Sequence, residues 1–341
     1  NIFFVYELSP IGVEFLVSLL SINLFFILFF FNKNFIISLI KVSLLDENIN
    51  LCGFFSALPA VSVAVVLIVA KLGAWLFTDS VSLLSSFADS VLDAAASLVN
   101  LLAVRSALQP ADREHRFGHG KAESLAGLAQ AAFIAGSGVF LLLESVERLI
   151  TPRAVDHGLI GIAVMGVSII LTAVLVGFQM YVVKRTNSIA IAADSLHYRI
   201  DILVNFAVIV SLLLASFGGW QLADPLFAIL IVAYMGTGAY KILRQSLKDL
   251  MDTEFDEADR ARIRDIVLAH SDVLDIHDMR TRSSGPDAFI QLHIEMDRDL
   301  SLAAAHKISD EVMFSVEKAF PNAEVLIHQD PEGVDERRDH L

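Results

Sequence analysis

Cysteine is almost absent. Cys52 is the single one in 341 residues, which excludes an intrachain disulfide framework and any CxxC zinc or redox motif. Charge is scarce as well. Asp, Glu, Lys and Arg make up 19% of the chain, against 55% apolar residues and a mean hydropathy of +0.63. Ordinary soluble domains hold roughly 25% charged and 45–50% apolar residues. A plain globular protein is therefore excluded, and a membrane protein with a smaller soluble part is implied. Positive charge is the scarcer sign: 25 Lys and Arg face 39 Asp and Glu, a net charge of −14. That balance argues against nucleic acid as a partner, because phosphate recognition needs a basic surface.

The negative charge is concentrated at one end. Residues 249–341 hold 23 acids and 10 bases, while residues 1–248 hold 16 acids and 15 bases. This step marks a boundary between a transmembrane domain over 52–248 and a soluble domain over 249–331, with 332–341 read as a flexible tail. A membrane helix needs about 20 mostly apolar residues. Six such stretches follow residue 55, at 57–77, 81–107, 123–150, 157–183, 189–216 and 220–244. Most connections are short; the exception is the polar loop 108–122. The positive-inside rule orients the set. Arg105, Arg113, Arg116, Lys121, Lys184, Arg185, Lys241, Arg244 and Lys248 fall on one side, and only Arg148 and Arg153 on the other. The C-terminal domain is accordingly expected in the cytoplasm.

Residues 1–51 differ from the rest. They contain no alanine, yet hold 9 of the 24 Phe and 6 of the 10 Asn. The run 12–31 carries the single charge Glu14 and is long enough to span, so this segment reads as a seventh span or as a hydrophobic extension outside the working fold. The chain opens on Asn1 rather than Met, and the expectation is that this start is not the biological one. No basic stretch precedes the apolar run and no A-x-A-like site follows it, which fits a cleaved signal peptide poorly.

The soluble part reads as a compact α+β domain. Residues 256–270 and 302–320 show helical periodicity, and 273–281, 288–295 and 324–328 read as strands, with Ser283-Ser284-Gly285-Pro286 as a turn. The order αββαβ predicts helices on one face of a small three-stranded sheet.

Ionisable residues inside membrane spans are costly and mark function by default. The second span carries Asp89 and Asp93, and the fifth carries His197 and Asp201. Each pair is spaced i, i+4 and falls on one helix face. Facing each other, the pairs would bring three carboxylates and one imidazole together, a complete shell for a small divalent metal. Without thiolate, copper(I) is disfavoured. The bland alternative, ion-paired packing, is weakened because no buried cation is evident beside Asp89 or Asp93. Asp194 is a weaker candidate, and Lys71 in the first span reads as snorkelling or ion-paired. In the long loop, Asp112, His115 and His119 form a second potential metal cluster, with a solvated polar loop as the equal alternative. The soluble domain offers His277, His293, His306, His328 and Asp330, on strands and a helix of an acidic body. His157, His270 and His340 have no evident partner.

Four stretches together resemble the cation diffusion facilitator family, specifically its bacterial ferrous-iron/zinc efflux branch. They are Phe87-Ala88-Asp89-Ser90-Val91-Leu92-Asp93, Arg116-Phe117-Gly118-His119-Gly120-Lys121-Ala122-Glu123, Ala193-Asp194-Ser195-Leu196-His197-Tyr198-Arg199-Ile200-Asp201 and Ile327-His328-Gln329-Asp330-Pro331. The resemblance covers about residues 57–331, and residues 1–51 have no counterpart in it. It implies a six-helix transmembrane bundle with a cytoplasmic ferredoxin-like, metallochaperone-like domain. It also implies a homodimer joined through that domain and the membrane-proximal loop, in the bacterial inner membrane, and exchange of divalent metal for protons. Carried over by position, the transport site is Asp89, Asp93, His197 and Asp201, and the loop site is Asp112, His115 and His119. The cytoplasmic binuclear site is His277, His293, His306, His328 and Asp330, with Gln329 at its edge. Lys121 and Asp252 match an interface charge pair.

Protons compete with metal for Asp and His, and imidazole titrates near neutral pH. The resemblance therefore implies a metal/H+ antiporter, not an enzyme, exporting Zn2+ and also Fe2+ or Cd2+ by alternating access; Co2+ and Mn2+ suit the same ligands. The rivals are an intramembrane aspartyl protease, a membrane-tethered metal sensor and a channel. The His197–Asp201 pair counts against the first, the six spans against the second, and a tight four-ligand site against the third.

Overall fold

The computed structural model describes residues 49–78, 81–151, 159–218 and 222–333. The extension or seventh span read over 1–51 and the tail over 332–341 lie almost wholly outside the described residues, as do His157 and His340. The chain divides into two compact units.

The first unit is helical. Helices α1 (Ile49–Thr78), α2 (Val81–Ala107), α3 (Lys121–Ile150), α4 (Leu159–Thr186), α5 (Ile189–Gly218) and α6 (Ala223–Leu250) match the six stretches anticipated from hydropathy. Among the described residues, Phe87–Ala107, Lys121–Ile150, Met165–Thr186 and Ala223–Leu250 are long and apolar enough to cross a membrane, and Ala60–Gly73 is a shorter apolar helix. In α5 the apolar run is broken by Asp194, Arg199 and Asp201. Large side chains such as Phe140, Leu143, Phe206 and Leu230 point outward, as lipid-facing residues do, because lipid is as apolar as they are.

Small residues let the helices approach closely. Ala131, Ala193, Ala207 and Ala239 sit with Ile134, Leu196, Ile200, Ile231, Met235 and Ile242 in one buried cluster joining α3, α5 and α6. Ala60, Leu175, Val176 and Tyr198 form another that joins α1, α4 and α5. Arg148 ties α3 to α6 through Asp224 at 2.8 Å while also holding Glu144 at 2.6 Å.

The second unit comprises Arg244 onward together with the loop segment Ser106–Leu125. It contains α7 (Glu257–Leu268), β1 (Asp275–Ser284), β2 (Asp287–Met296), α8 (Leu302–Ala319) and β3 (Ala323–Pro331), the anticipated αββαβ order. The sheet runs β1-β2-β3, antiparallel between β1 and β2 and parallel between β2 and β3. Alternation puts Ile290, Leu292 and Ile294 of β2 on the face covered by Ile263 and Val267 of α7 and Val312 and Val316 of α8. Ser301 caps α8 by accepting from Ala304 N, which satisfies one of the helix's orphan N–H groups. The β1–β2 turn is tighter than the sequence pattern suggests: Ser283 and Ser284 remain in the strand and only Gly285-Pro286 turns. Gly285 has φ +60°, which a first central position of a II′ hairpin turn reserves for glycine.

Candidate metal centres

In the first unit, α2 and α5 bring Asp93, His197 and Asp201 together, with ligand atoms all within 4.8 Å of one another. His197 Nε2 lies 2.9 Å from Asp93 Oδ1 and 3.8 Å from Asp201 Oδ2. A tetrahedral shell with bonds of about 2.0–2.1 Å separates its ligand atoms by about 3.3 Å. The two spacings bracket that value, so small side-chain shifts suffice to admit an ion. His197 is buried, packed edge-on against Phe133. Asp89, one turn from Asp93, is exposed and lies outside the three-residue group. It nevertheless lines the same cavity of about 110 Å³ as Asp93 and Asp201.

Two features around this site were not visible in the sequence. Lys71 of α1 lines the cavity, and its Nζ donates to Ser90 Oγ at 2.7 Å. The cation not evident beside Asp89 and Asp93 in the sequence is therefore present, supplied by another helix. Asp194 faces a separate polar knot: it accepts from Gln179 Nε2 at 2.6 Å and Ser97 Oγ at 3.1 Å, and Ser97 also meets Tyr198 Oη at 2.8 Å. The knot joins α2, α4 and α5, with Asp194 three residues before His197, and satisfies a buried carboxylate, which is otherwise expensive.

In the second unit, the loop cluster forms around Asp112. Its Oδ1 accepts from the backbone N–H of Glu114 at 2.8 Å and of His115 at 2.6 Å. These bonds, led by that from His115, hold its carboxyl below the usual range. Its Oδ2 lies 3.4 Å from His119 Nε2, and the His115 and His119 rings are 4.5 Å apart. The three form one potential ligand group.

The sheet carries the third group. Register places His277, His293 and His328 in a single row across β1, β2 and β3, with neighbouring ring centroids 5.3 and 4.5 Å apart. Asp330 is two residues beyond His328 and so shares its face. Its Oδ2 meets His277 Nε2 at 3.1 Å and His293 Nδ1 at 2.9 Å, while its Oδ1 meets His328 Nε2 at 3.1 Å. One buried carboxylate thus faces three imidazoles. Asp278 joins His277 and His293 as a further potential ligand. The irregular pairing between His277 and Arg280, with Asp278 at φ +45°, breaks the alternation that would turn it away. His306 is not in this group; it sits exposed on α8, 3.5 Å from Asp310. His270, without a partner by sequence, is 3.1 Å from Glu311.

Lys121 Nζ lies 2.9 Å from Asp252 Oδ1, and Arg282 Nη1 is 3.5 Å from the same oxygen. Burial pushes the Asp252 carboxyl up, but Lys121 and Arg282 outweigh it and leave the group below its ordinary range.

The family model for the cation efflux transmembrane domain matches residues 57–251. The model for the cation efflux protein cytoplasmic domain matches residues 255–332. The cation-efflux pump FieF of Shewanella oneidensis is 47% identical over 272 residues, covering 80% of this chain and 92% of its own length. That of Salmonella arizonae is 46% identical over 276 residues, covering 81% and 92%. A solved structure of CzrB in a zinc form is 31% identical, covers 25% of this chain and 99% of its own, and has a TM-score of 0.24.

Proposed function

The chain belongs to the cation efflux family, and from that premise we propose that it exports Zn2+ from the cytoplasm in exchange for protons. It is an integral membrane transporter of divalent metal cations rather than an enzyme. Fe2+ and Cd2+ are further cargo of the same oxygen- and nitrogen-donor set. The observation that carries this reading is the convergence of Asp93, His197 and Asp201 on two membrane helices; Asp89, on the wall of the same cavity, is proposed to complete the shell when the ion binds.

The ligands bind metal only when deprotonated, so each ion that arrives displaces protons and each proton that returns displaces the ion. His197 carries a returning proton, because its nitrogen already lies 2.9 Å from a carboxylate oxygen and imidazole titrates near neutral pH. Metal enters when the site faces the cytoplasm. Proton activity on the far side releases it after the helices rearrange around the fixed site.

The transport domain is taken as 52–248 and the cytoplasmic domain as 249–331. The loop cluster at Asp112, His115 and His119 receives metal at the cytoplasmic side. The histidine row with Asp330 holds resident metal, and the cytoplasmic domain pairs two copies in a homodimer. His306 is a further ligand of that site, although in this chain it stands apart from the row, beside Asp310. The membrane is the bacterial inner membrane, with the C-terminus inside.

The test is zinc flux in proteoliposomes under an imposed pH gradient. Flux is expected to follow the gradient, to saturate with zinc, and to vanish in Asp93→Ala and His197→Ala. Normal flux in either variant would remove the proposed site.

A further inference from the structure

Lys71 is the one charged residue of the apolar segment Ala60–Gly73. A lysine there costs free energy unless its ammonium finds partners or reaches the interface. Its ammonium instead turns inward. Nζ donates to Ser90 Oγ at 2.7 Å, on the residue after Asp89 and three before Asp93. Lys71, Asp89, Asp93 and Asp201 all line one cavity.

We infer that Lys71 is a tethered counter-ion of the transport site, which holds the three carboxylates together between ions and yields to the incoming divalent cation. The inference rests on the transport-site reading above. An ammonium has three donors and no lone pair, so it cannot ligate metal; it acts through the carboxylates, as a positioning residue. Charge explains why one is needed. Three ionised carboxylates with Lys71 carry −2, which a divalent ion neutralises. Without Lys71 they carry −3, and the loaded site keeps an uncompensated charge in a medium of low dielectric. The same ammonium opposes the approach of the ion, so the protein gives up affinity for ready release.

The test compares zinc flux in proteoliposomes for the unmodified protein, Lys71→Met, Lys71→Gln, Lys71→Arg and Asp93→Ala, separating KM from maximal rate. Removing the positive charge is expected to lower KM about tenfold, the effect of one pairwise charge interaction. It should also lower the maximal rate, because the ion leaves more slowly. Lys71→Arg is expected to restore the higher KM. A role in packing alone would not tighten binding. If Asp93→Ala transports normally, the transport-site reading itself fails. If Asp93→Ala is inactive but both neutral variants keep KM within about twofold or raise it, the counter-ion assignment alone fails. Should neither neutral variant fold in detergent, saturating zinc is expected to restore the folded yield, since the ion supplies the missing charge. Variants that stay unfolded in zinc overturn the assignment.

Discussion

Asp89 and Asp93 stand one turn apart on α2, yet only Asp93 has its oxygen within 2.9 Å of His197. The neutral isostere separates their roles. Asp93→Asn is expected to cut zinc kcat/KM about 100-fold or more, and Asp89→Asn, whose carboxylate must first move in from the cavity wall to ligate, about tenfold. Initial-rate flux at several zinc concentrations measures both, and equal losses would place Asp89 in the ligand shell already in this conformation. Asp252 gives a second case. Its carboxyl is held below the usual range because Lys121 and Arg282 overcome its burial. A depressed folded pKa contributes stability above the unfolded pKa and loses it as pH falls through the folded value. The pair is partly exposed, so its contribution is below about 1 kcal/mol. Lys121→Ala is expected to lower the thermal midpoint at pH 7 and to lower it progressively less as pH falls below the ordinary carboxylate range, through which Asp252 loses its charge. Thermal unfolding from pH 8 down to the acid limit of the folded protein reads this out, and a drop that stays the same along the whole series would exclude the ion pair as its cause.

The elements that position these residues were legible to different degrees. Helix α2 starts and ends where hydropathy placed it, at 81 and 107, and β2 differs from its expected bounds by one residue at each end. In both, a single strong pattern dictates the element: a long apolar run in one and strict alternation in the other. The i, i+4 pairs predicted convergence of α2 and α5, because helix geometry alone puts each pair on one face. Lys71 was not assigned to the site, because nothing in its own neighbourhood says which helix it faces. Asp278 was missed for a backbone reason, the left-handed φ of +45° that redirects it. The loop 108–122 read as a connection between spans, yet it packs in the second unit through contacts that composition cannot reveal. Phe117 meets Phe289 edge-on at 5.5 Å, and Arg282 lies 4.7 Å from the Phe117 ring and 4.6 Å from the Phe289 ring. Gly120 passes so close to Ser284 that a Cβ there would overlap the Ser284 carbonyl oxygen. Gly120→Ala forces two backbones apart and is expected to cost about 1–3 kcal/mol locally. Limited proteolysis of residues 108–120 should accelerate by at least about tenfold, with the sheet still protected; an unchanged cleavage rate would mean that the loop is not docked.

The whole chain carries a net charge of −14, and residues 249–341 account for 23 acids against 10 bases. A divalent cation feels this field twice as strongly as a monovalent one. Its local concentration therefore rises around the acidic part, which α6 joins covalently to the transport helices. Salt weakens the attraction, since the screening length falls from about 30 Å at 0.01 M to about 8 Å at 0.15 M. Asp93 and Asp201, the carboxylates proposed to hold the ion beside His197, are partly buried in the helical unit and are screened much less. Arrival should consequently depend on salt while the bound-ion steps do not. Between about 10 mM and 300 mM of an inert salt such as choline chloride, the apparent KM for zinc is expected to rise several-fold at constant maximal rate. Asp299→Lys with Glu324→Lys changes two exposed acids outside the histidine row. That double variant should have a higher KM at low salt and a shallower salt dependence, converging on the unmodified protein at high salt. If its slope matched that of the unmodified protein, the attraction would not come from this surface. A maximal rate that fell with salt would instead mean that screening reaches the ligands themselves.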